Sequence, residues 1–340
     1  MVQKSSSITI REVAEQAGGS VATVSRYINK TAAVSGETAA RINDVVSSLN
    51  YVPHAAARNL ATNKTKSVGL LLANNSYSDY FTPILRGIEE VVTGEYHYNL
   101  LIASRRPNTQ DKEVPPLGHY NTDGLLVFVD SMSLAELEAL AENNFPMVLM
   151  HHLSPPHLSI PSIMVENRKS FQELVEHLII VHERKRIVFV TGPDGWQDAI
   201  EREAGYHAAL EAHQIPYRPE LIIPGKFRRE ISYLSMLEFI VSGVEFDAVA
   251  AANDESASGV LEALRRSGKR IPEDVALLGF DDKSYIAEYM TPKLTTVHAP
   301  TVEVGRAAAR QLIKLVNEGQ ADLNTLLPTH VIIRQSCGCR

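Results

Sequence analysis

The first fifty residues place their apolar side chains at helical spacing. Ile10, Val13, Ala14 and Ala17 fall at i, i+3, i+4 and i+7, one face of a helix. Thr9-Ile-Arg-Glu12 is a capping box, in which the threonine oxygen accepts from the backbone three residues on and Glu12 reaches back. Gly18-Gly19 ends that helix, and Ser20 is the next N-cap candidate. Val24, Tyr27 and Ile28 form the inward face of a second short helix, and a third begins after Ser35 and buries Ile42, Val45, Val46 and Leu49. Asn50-Tyr-Val-Pro53 stops it, because proline disfavours a helical residue before it. Two short helices joined by a glycine turn and braced by a third make a helix-turn-helix unit over 8–53, whose second helix is built to enter the DNA major groove.

From residue 67 the pattern changes. Apolar runs at 68–73, 100–103, 124–129, 147–150, 187–191, 221–223, 248–252 and 275–279 alternate with helix-length stretches such as 82–92, 134–142, 169–181, 198–212 and 254–267. Short all-apolar strands alternating with helices predict parallel sheets covered on both faces. Two such sets predict a multidomain chain, an all-α head followed over 67–340 by an α/β body of two doubly wound subdomains. Ligands then bind at the carboxyl ends of the strands, in the cleft between the lobes. Polar pairs stand at those ends: His151-His152, Asn253-Asp254 and Asp281-Asp282. Asp254 and Asp282 are expected to cap the helices that follow. Tyr80-Phe81 and Phe227 are expected as apolar walls.

Composition narrows the function classes. Hydrophobic content of 44% and charge of 21% in 340 residues exclude a disordered or fibrous chain. No apolar run approaches the roughly 20 residues of a membrane span. The polar start lacks a secretory core, so a cytoplasmic protein is expected. The two cysteines, Cys337 and Cys339, cannot staple a fold, and as a pair of ligands they make no closed metal site; no cofactor or metal is expected. The net charge of −7 hides an asymmetry: residues 1–64 hold seven basic and four acidic residues, a net +3, which leaves −10 for the rest. A basic head on an acidic body suits a polyanionic partner. On the second helix the outward residues are Val21, Ala22, Ser25 and Arg26. Arg26 can fork onto guanine O6 and N7, while Val21 and Ala22 can pack on a thymine methyl. Ser20, Thr23, Ser25 and Asn29 are candidate phosphate contacts, and Thr9 is counted with them as a DNA-contacting candidate.

Ile8-Thr-Ile-Arg-Glu-Val-Ala-Glu-Gln-Ala-Gly and Val21-Ala-Thr-Val-Ser-Arg-Tyr-Ile-Asn-Lys resemble the N-terminus of the LacI/GalR family of bacterial repressors, the recognition segment being most similar to the galactose-repressor branch. The resemblance covers essentially the whole chain. It implies a periplasmic-binding-protein-like body with crossovers near residues 165, 295 and 328. It also implies a hinge over 54–66 in which Ala57 lies near the minor-groove floor and Leu60 wedges into the groove and kinks it. Read without the resemblance, this stretch is a linker with Leu60 packed on the body, since so short a helix is marginal alone. By resemblance Arg202, Asn253 and Asp281 match effector-contacting positions. A carboxylate and a guanidinium converging on neighbouring hydroxyls make a sugar clamp.

Three departures from the family stand out. Gly19 replaces an apolar residue, which implies a looser turn. His151 replaces an Asp, Asn or similar residue, which alters the hydroxyl pattern expected of a ligand. The stretch 105–120, with Pro115-Pro116, implies a truncated or missing helix and an exposed sheet face or partner surface. No zinc-protease, nucleophile-elbow or phosphate-loop pattern argues for an enzyme. A free sugar-binding protein would need a secretory signal in place of the head. The expectation is therefore a homodimeric regulator, a repressor controlled by a small effector, carbohydrate in class. Its two-fold symmetry requires a near-palindromic double-stranded DNA operator. A tail without leucine heptads argues against a tetramer.

Overall fold

The computed structural model describes residues 8–29, 32–51, 64–73, 80–105 and 115–339. The expected hinge helix, with Ala57 and Leu60, lies outside the described residues, as does most of the expected truncated segment; residues 116–121 form bends and turns.

The head is three helices, α1 (Ile10–Gln16), α2 (Val21–Ile28) and α3 (Gly36–Ser48). Each begins on the hydroxyl the sequence offers. Thr9 and Glu12 close the capping box, Ser20 Oγ accepts from Thr23 N at 3.1 Å, and Ser35 accepts from Thr38 N. Val13, Ala14, Ala17, Val24, Ile42 and Tyr51 make its core. The turn between α1 and α2 is tighter than the glycine pair implied. Gly18 takes a left-handed φ of +62°, its N–H bonds Glu15 O, and the Gly19 N–H bonds Ala14 O at 2.9 Å. That is a closed Schellman turn, in which two backbone bonds replace the missing side-chain packing.

The body divides into two lobes. The N-lobe sheet runs β11-β5-β4-β3-β1-β2, from β1 (Ser67–Ala73), β2 (Asn99–Arg105), β3 (Gly124–Phe128), β4 (Met147–Met150), β5 (Ser162–Val165) and β11 (Asn324–Leu327). Between its strands lie α4 (Phe81–Glu89), continued as a π-helical segment Glu90–Glu95, and α5 (Leu134–Glu142). The C-lobe sheet runs β7-β6-β8-β9, all parallel, from β6 (Ile187–Thr191), β7 (Ile222–Pro224), β8 (Ala248–Ala251) and β9 (Ala276–Leu278). Its helices are α6 (Arg168–His182), α7 (Gln197–Ala212), α8 (Arg229–Val241), α9 (Asp254–Arg266) and the short α10 (Ser284–Ala287). The chain passes between lobes after β5, after β10 (Thr296–His298) on the way to α11 (Thr301–Glu318), and between β11 and β12 (His330–Ile332). β10 and β12 pair antiparallel at the crossing.

Glycines let the helix pairs approach closely. A Cβ on Gly305 of α11 would lie 2.0 Å from Ile84 O of α4, and one on Gly87 would lie 2.1 Å from Val302 O. The chain enters β1 through a clamp: Asp123 Oδ1 accepts from Thr65 N at 2.6 Å, and Oδ2 accepts from Lys66 N at 2.9 Å. Among the described residues no helix is long and apolar enough to cross a membrane.

Candidate functional site

On α2 the inward face is settled by Val24, which is fully buried, with Tyr27 and Ile28 packed against the head core. Val21, Ala22 and Arg26 are consequently exposed, and Thr23, Ser25 and Asn29 half-buried. Several polar candidates are already engaged with one another. Ser20 Oγ lies 2.9 Å from Thr23 Oγ1, Asn29 Nδ2 donates to Ser25 Oγ at 3.2 Å, and Thr9 Oγ1 donates to Glu12. Arg26 is exposed, and among the described residues no hydrogen bond or ion pair engages its guanidinium.

In the body, strand ends and one helix converge between the lobes. His151 follows β4, in the N-lobe. Its Nδ1 bonds Asp198 Oδ2 of α7, in the C-lobe, at 2.8 Å, and its Nε2 meets Tyr80 Oη at 3.2 Å. Asn167, just beyond β5, donates to Asp198 Oδ1 at 2.8 Å and accepts from Arg202 Nε at 2.8 Å. Arg202 also donates to Ala252 O at 2.7 Å, lies 3.7 Å above the Phe280 ring centroid and 5.2 Å from that of Phe227. The chain of contacts ends at Asp281. Arg202 Nη1 is 3.4 Å from Asp281 Oδ1, an ion pair without hydrogen-bond geometry. That oxygen is buried without a donor among the described residues. A second bridge closes the lobes beside it, where Trp196 Nε1 donates to Asp130 Oδ2 at 2.6 Å.

Burial sets the electrostatics. It opposes the charge of Asp198, yet the charge and hydrogen bond of His151, with Arg202 and Asn167, outweigh it and hold that carboxyl below its ordinary range. Burial pushes the Asp281 carboxyl above the ordinary range, against the pull of Arg202 and Lys283. Asp254 is raised well above it by burial and then by Asp281. Asp130, His151, Phe227 and Asp281 all hold positive φ, +110° at Asp281. Each such residue costs on the order of 1–3 kcal/mol, and such strain gathers where the surroundings over-determine a functional geometry.

Tyr80, His151, Arg202, Phe227 and Asp281 thus come together as expected contributors to one cleft, and two candidates do not. Phe81 is buried in the N-lobe core edge-on to Phe128, because it opens α4 with its side chain turned inward. Asn253 caps α9 through its Oδ1, which accepts from Ser256 N at 2.9 Å, and among the described residues no hydrogen bond joins it to the other cleft side chains. The caps expected of Asp254 and Asp282 are also corrected. Asp254 sits one residue inside the helix and accepts from Thr296 Oγ1 and Lys283 N. Asp282 bonds His298 and Arg334. Sequence reading missed Asn167, Asp198, Trp196 and Phe280. Asp198 and Arg202 lie four residues apart on one helix face, which was the available signal.

Comparison with known proteins fits both halves. Residues 9–54 match the family of bacterial regulatory proteins, lacI family, and residues 175–337 match a periplasmic binding protein-like domain. The chain is 31% identical over 96% of its length to the HTH-type transcriptional regulator RegA of Clostridium saccharobutylicum, covering 98% of that protein. Among solved structures, a transcriptional regulator CelR–cellobiose complex aligns with a TM-score of 0.72 at 28% identity, over 97% of this chain and 99% of that one. A lac repressor dimer bound to operator and the anti-inducer ONPF shares the fold, with a TM-score of 0.82 at 24% identity over 97% and 99% of the two chains. With a helix-turn-helix head, a two-lobed body and relatives of this identity along its whole length, the chain belongs to the LacI family of DNA-binding transcriptional regulators, not to an enzyme family.

Proposed function

We propose that this protein is a cytoplasmic, homodimeric repressor whose operator affinity is set by a carbohydrate-class effector held between its lobes. The head is assigned to 8–53, the hinge to 54–66 and the effector-binding and dimerising body to 67–340. Two heads related by a two-fold axis read a near-palindrome, and Arg26 supplies the base-reading fork. Leu60 of the paired hinges wedges into the minor groove with Ala57 at its floor.

The observation that carries the effector reading is Asp281 Oδ1, without a donor among the described residues, at the end of the Tyr80–His151–Asp198–Asn167–Arg202 chain. A buried carboxylate oxygen lacking a donor is costly unless a ligand supplies one. Asp281 accepts from a hydroxyl, Arg202 donates to its neighbour, and the Phe227 and Trp196 rings, 6.1 Å apart, cover an apolar sugar face. The CelR structure with cellobiose supports the same ligand class. The effector acts by binding one lobe angle better than the other, since equal affinity would shift nothing.

The test is selection of fragmented genomic DNA on the purified full chain, with and without a panel of sugars. Enrichment of one short palindrome, altered by a sugar, is the expected result. Uniform, salt-sensitive retention of all fragments would overturn the reading.

A further inference from the structure

The C-terminal tail folds back on the C-lobe and brings its two cysteines to the end of α6. Cys337 is fully buried and Cys339 half-buried. The Sγ atoms of both, and ring nitrogens of His177 and His182 on α6, all lie within 4.8 Å of one another. The cysteine pair that looked incomplete in sequence therefore has two imidazoles beside it.

The geometry is that of a metal tetrahedron. Zinc–sulfur bonds of about 2.3 Å and zinc–nitrogen bonds of about 2.0–2.1 Å put S and N about 3.6 Å apart across a tetrahedral angle. Cys339 Sγ is 3.5 Å from His177 Nε2 and 3.4 Å from His182 Nε2. The two imidazoles do not stack; their planes cross at 73°. His-x4-His lies within the usual zinc-ligand spacing, while Cys-x-Cys is one residue shorter than usual. Gly338 accommodates the shortfall. It holds φ +114°, and a Cβ there would lie 3.1 Å from the His182 ring. Thr295 Oγ1 donates to Cys337 Sγ at 3.2 Å, the kind of outer hydrogen bond that steadies a ligating thiolate.

We propose that His177, His182, Cys337 and Cys339 form a structural site for one tetrahedral zinc-class ion, pinning the C-terminal tail to α6. Four protein ligands leave no open position, so the ion braces the fold and performs no chemistry. The tail it fixes also carries Arg334, whose guanidinium bonds Asp282 at 2.7 Å, next to the cleft residue Asp281.

The experiment uses the full chain, stripped of metal by a chelator and kept reduced with a phosphine. Cobalt(II) titration is expected to saturate at one ion per chain, with intense tetrahedral d–d bands and thiolate-to-cobalt charge transfer, both lost on adding zinc. Losing an outer hydrogen-bond partner already costs about 10–100-fold in affinity, so Cys339→Ser and His177→Asn should each weaken zinc by about 100-fold or more. Zinc should raise the melting temperature of the parent chain and leave that of Cys339→Ser unmoved. Cys339 is partly exposed, and circular dichroism verifies that its serine variant folds. Absence of stoichiometric uptake by the reduced chain, a cobalt spectrum without thiolate charge transfer, or affinity unchanged in both variants would overturn the site.

Discussion

Replacing Asp198 with asparagine removes one charge from the centre of the cleft while keeping its shape. In the parent protein the carboxylate accepts from His151 Nδ1 and from Asn167 Nδ2, each at 2.8 Å, with both groups buried. Bonds to a charged group contribute about 1.5–3 kcal/mol each, against about 1 for neutral ones. The asparagine can keep Asn167 as a donor to its oxygen. Its NH₂ then faces His151 Nδ1, which must give up its proton to accept. Two charged bonds become two neutral ones, so Asp198→Asn should lose about 2–3 kcal/mol at neutral pH. The loss should carry a pH signature. The folded carboxyl titrates below its ordinary 3.8, so its stabilisation is complete above that value and disappears as the pH falls through the lower folded value. Urea unfolding of both proteins, followed by the fluorescence of the single tryptophan at position 196, measures the gap across pH. The gap should be constant from neutral pH down to the ordinary carboxylate range and then close. An asparagine variant as stable as the parent at neutral pH, or a gap that persists into acid, would refute the network account.

Arg26→Ala should lose about 1–3 kcal/mol of operator binding and relax preference at one base pair; equal weakening on every sequence, by gel shift against base-substituted duplexes, would remove the direct readout. Leu60→Ala should leave the fold intact and abolish operator bending in a phasing assay, and an unchanged bend would sink the wedge. Asp281→Ala should keep operator binding and lose the effector response. Because burial raises the Asp281 pKa and a hydroxyl donor would lower it, effector affinity in the parent should climb as pH rises through that raised range; calorimetry showing a flat profile would contradict it. Gly305→Ala should destabilise the body by about 1–3 kcal/mol, since its methyl would meet the α4 backbone, and a neutral melting temperature would show that α11 can shift without cost.

What the sequence disclosed followed the range of its signals. The head was legible because capping hydroxyls, glycine turn and apolar face act within about four residues of one another, as with Thr9 and Glu12. The central strands were legible because burial on both faces makes them unbroken apolar runs, as in Met147–Met150. β10 and β12 were not, because three-residue strands such as Thr-Val-His at the lobe crossing carry no run to read. α11 is written in the spacing of Val304, Ala308, Leu312 and Ile313, one buried helical face. Asn253 rather than Asp254 caps α9, because cap identity turns on a helix boundary of a single residue. Asn167 and Asp198 escaped because their partners lie 31 to 47 positions away. A longer separation, 157 to 162 positions, hid His177 and His182 from Cys339 of the tail.

The magnitudes also limit how the lobes can act as a switch. Moving a two-state equilibrium from 1:99 to 99:1 takes about 5.5 kcal/mol of differential affinity. Two side-chain bridges, His151–Asp198 and Trp196–Asp130, join N-lobe strand ends to the start of α7. The first is buried and charge-assisted, worth about 1.5–3 kcal/mol; the second is solvent-exposed and worth about 1 at most. Breaking or making both supplies about 2.5–4 kcal/mol, short of what a full switch requires. The remainder has to come from contacts that exist only with the ligand bound. Among the described residues Asp281 Oδ1 is buried without a donor, so a hydroxyl placed there returns a charged hydrogen bond of about 1.5–3 kcal/mol and removes an unsatisfied acceptor. An effector that bridges the two lobes without engaging Asp281 should therefore bind and yet shift the operator equilibrium only partway.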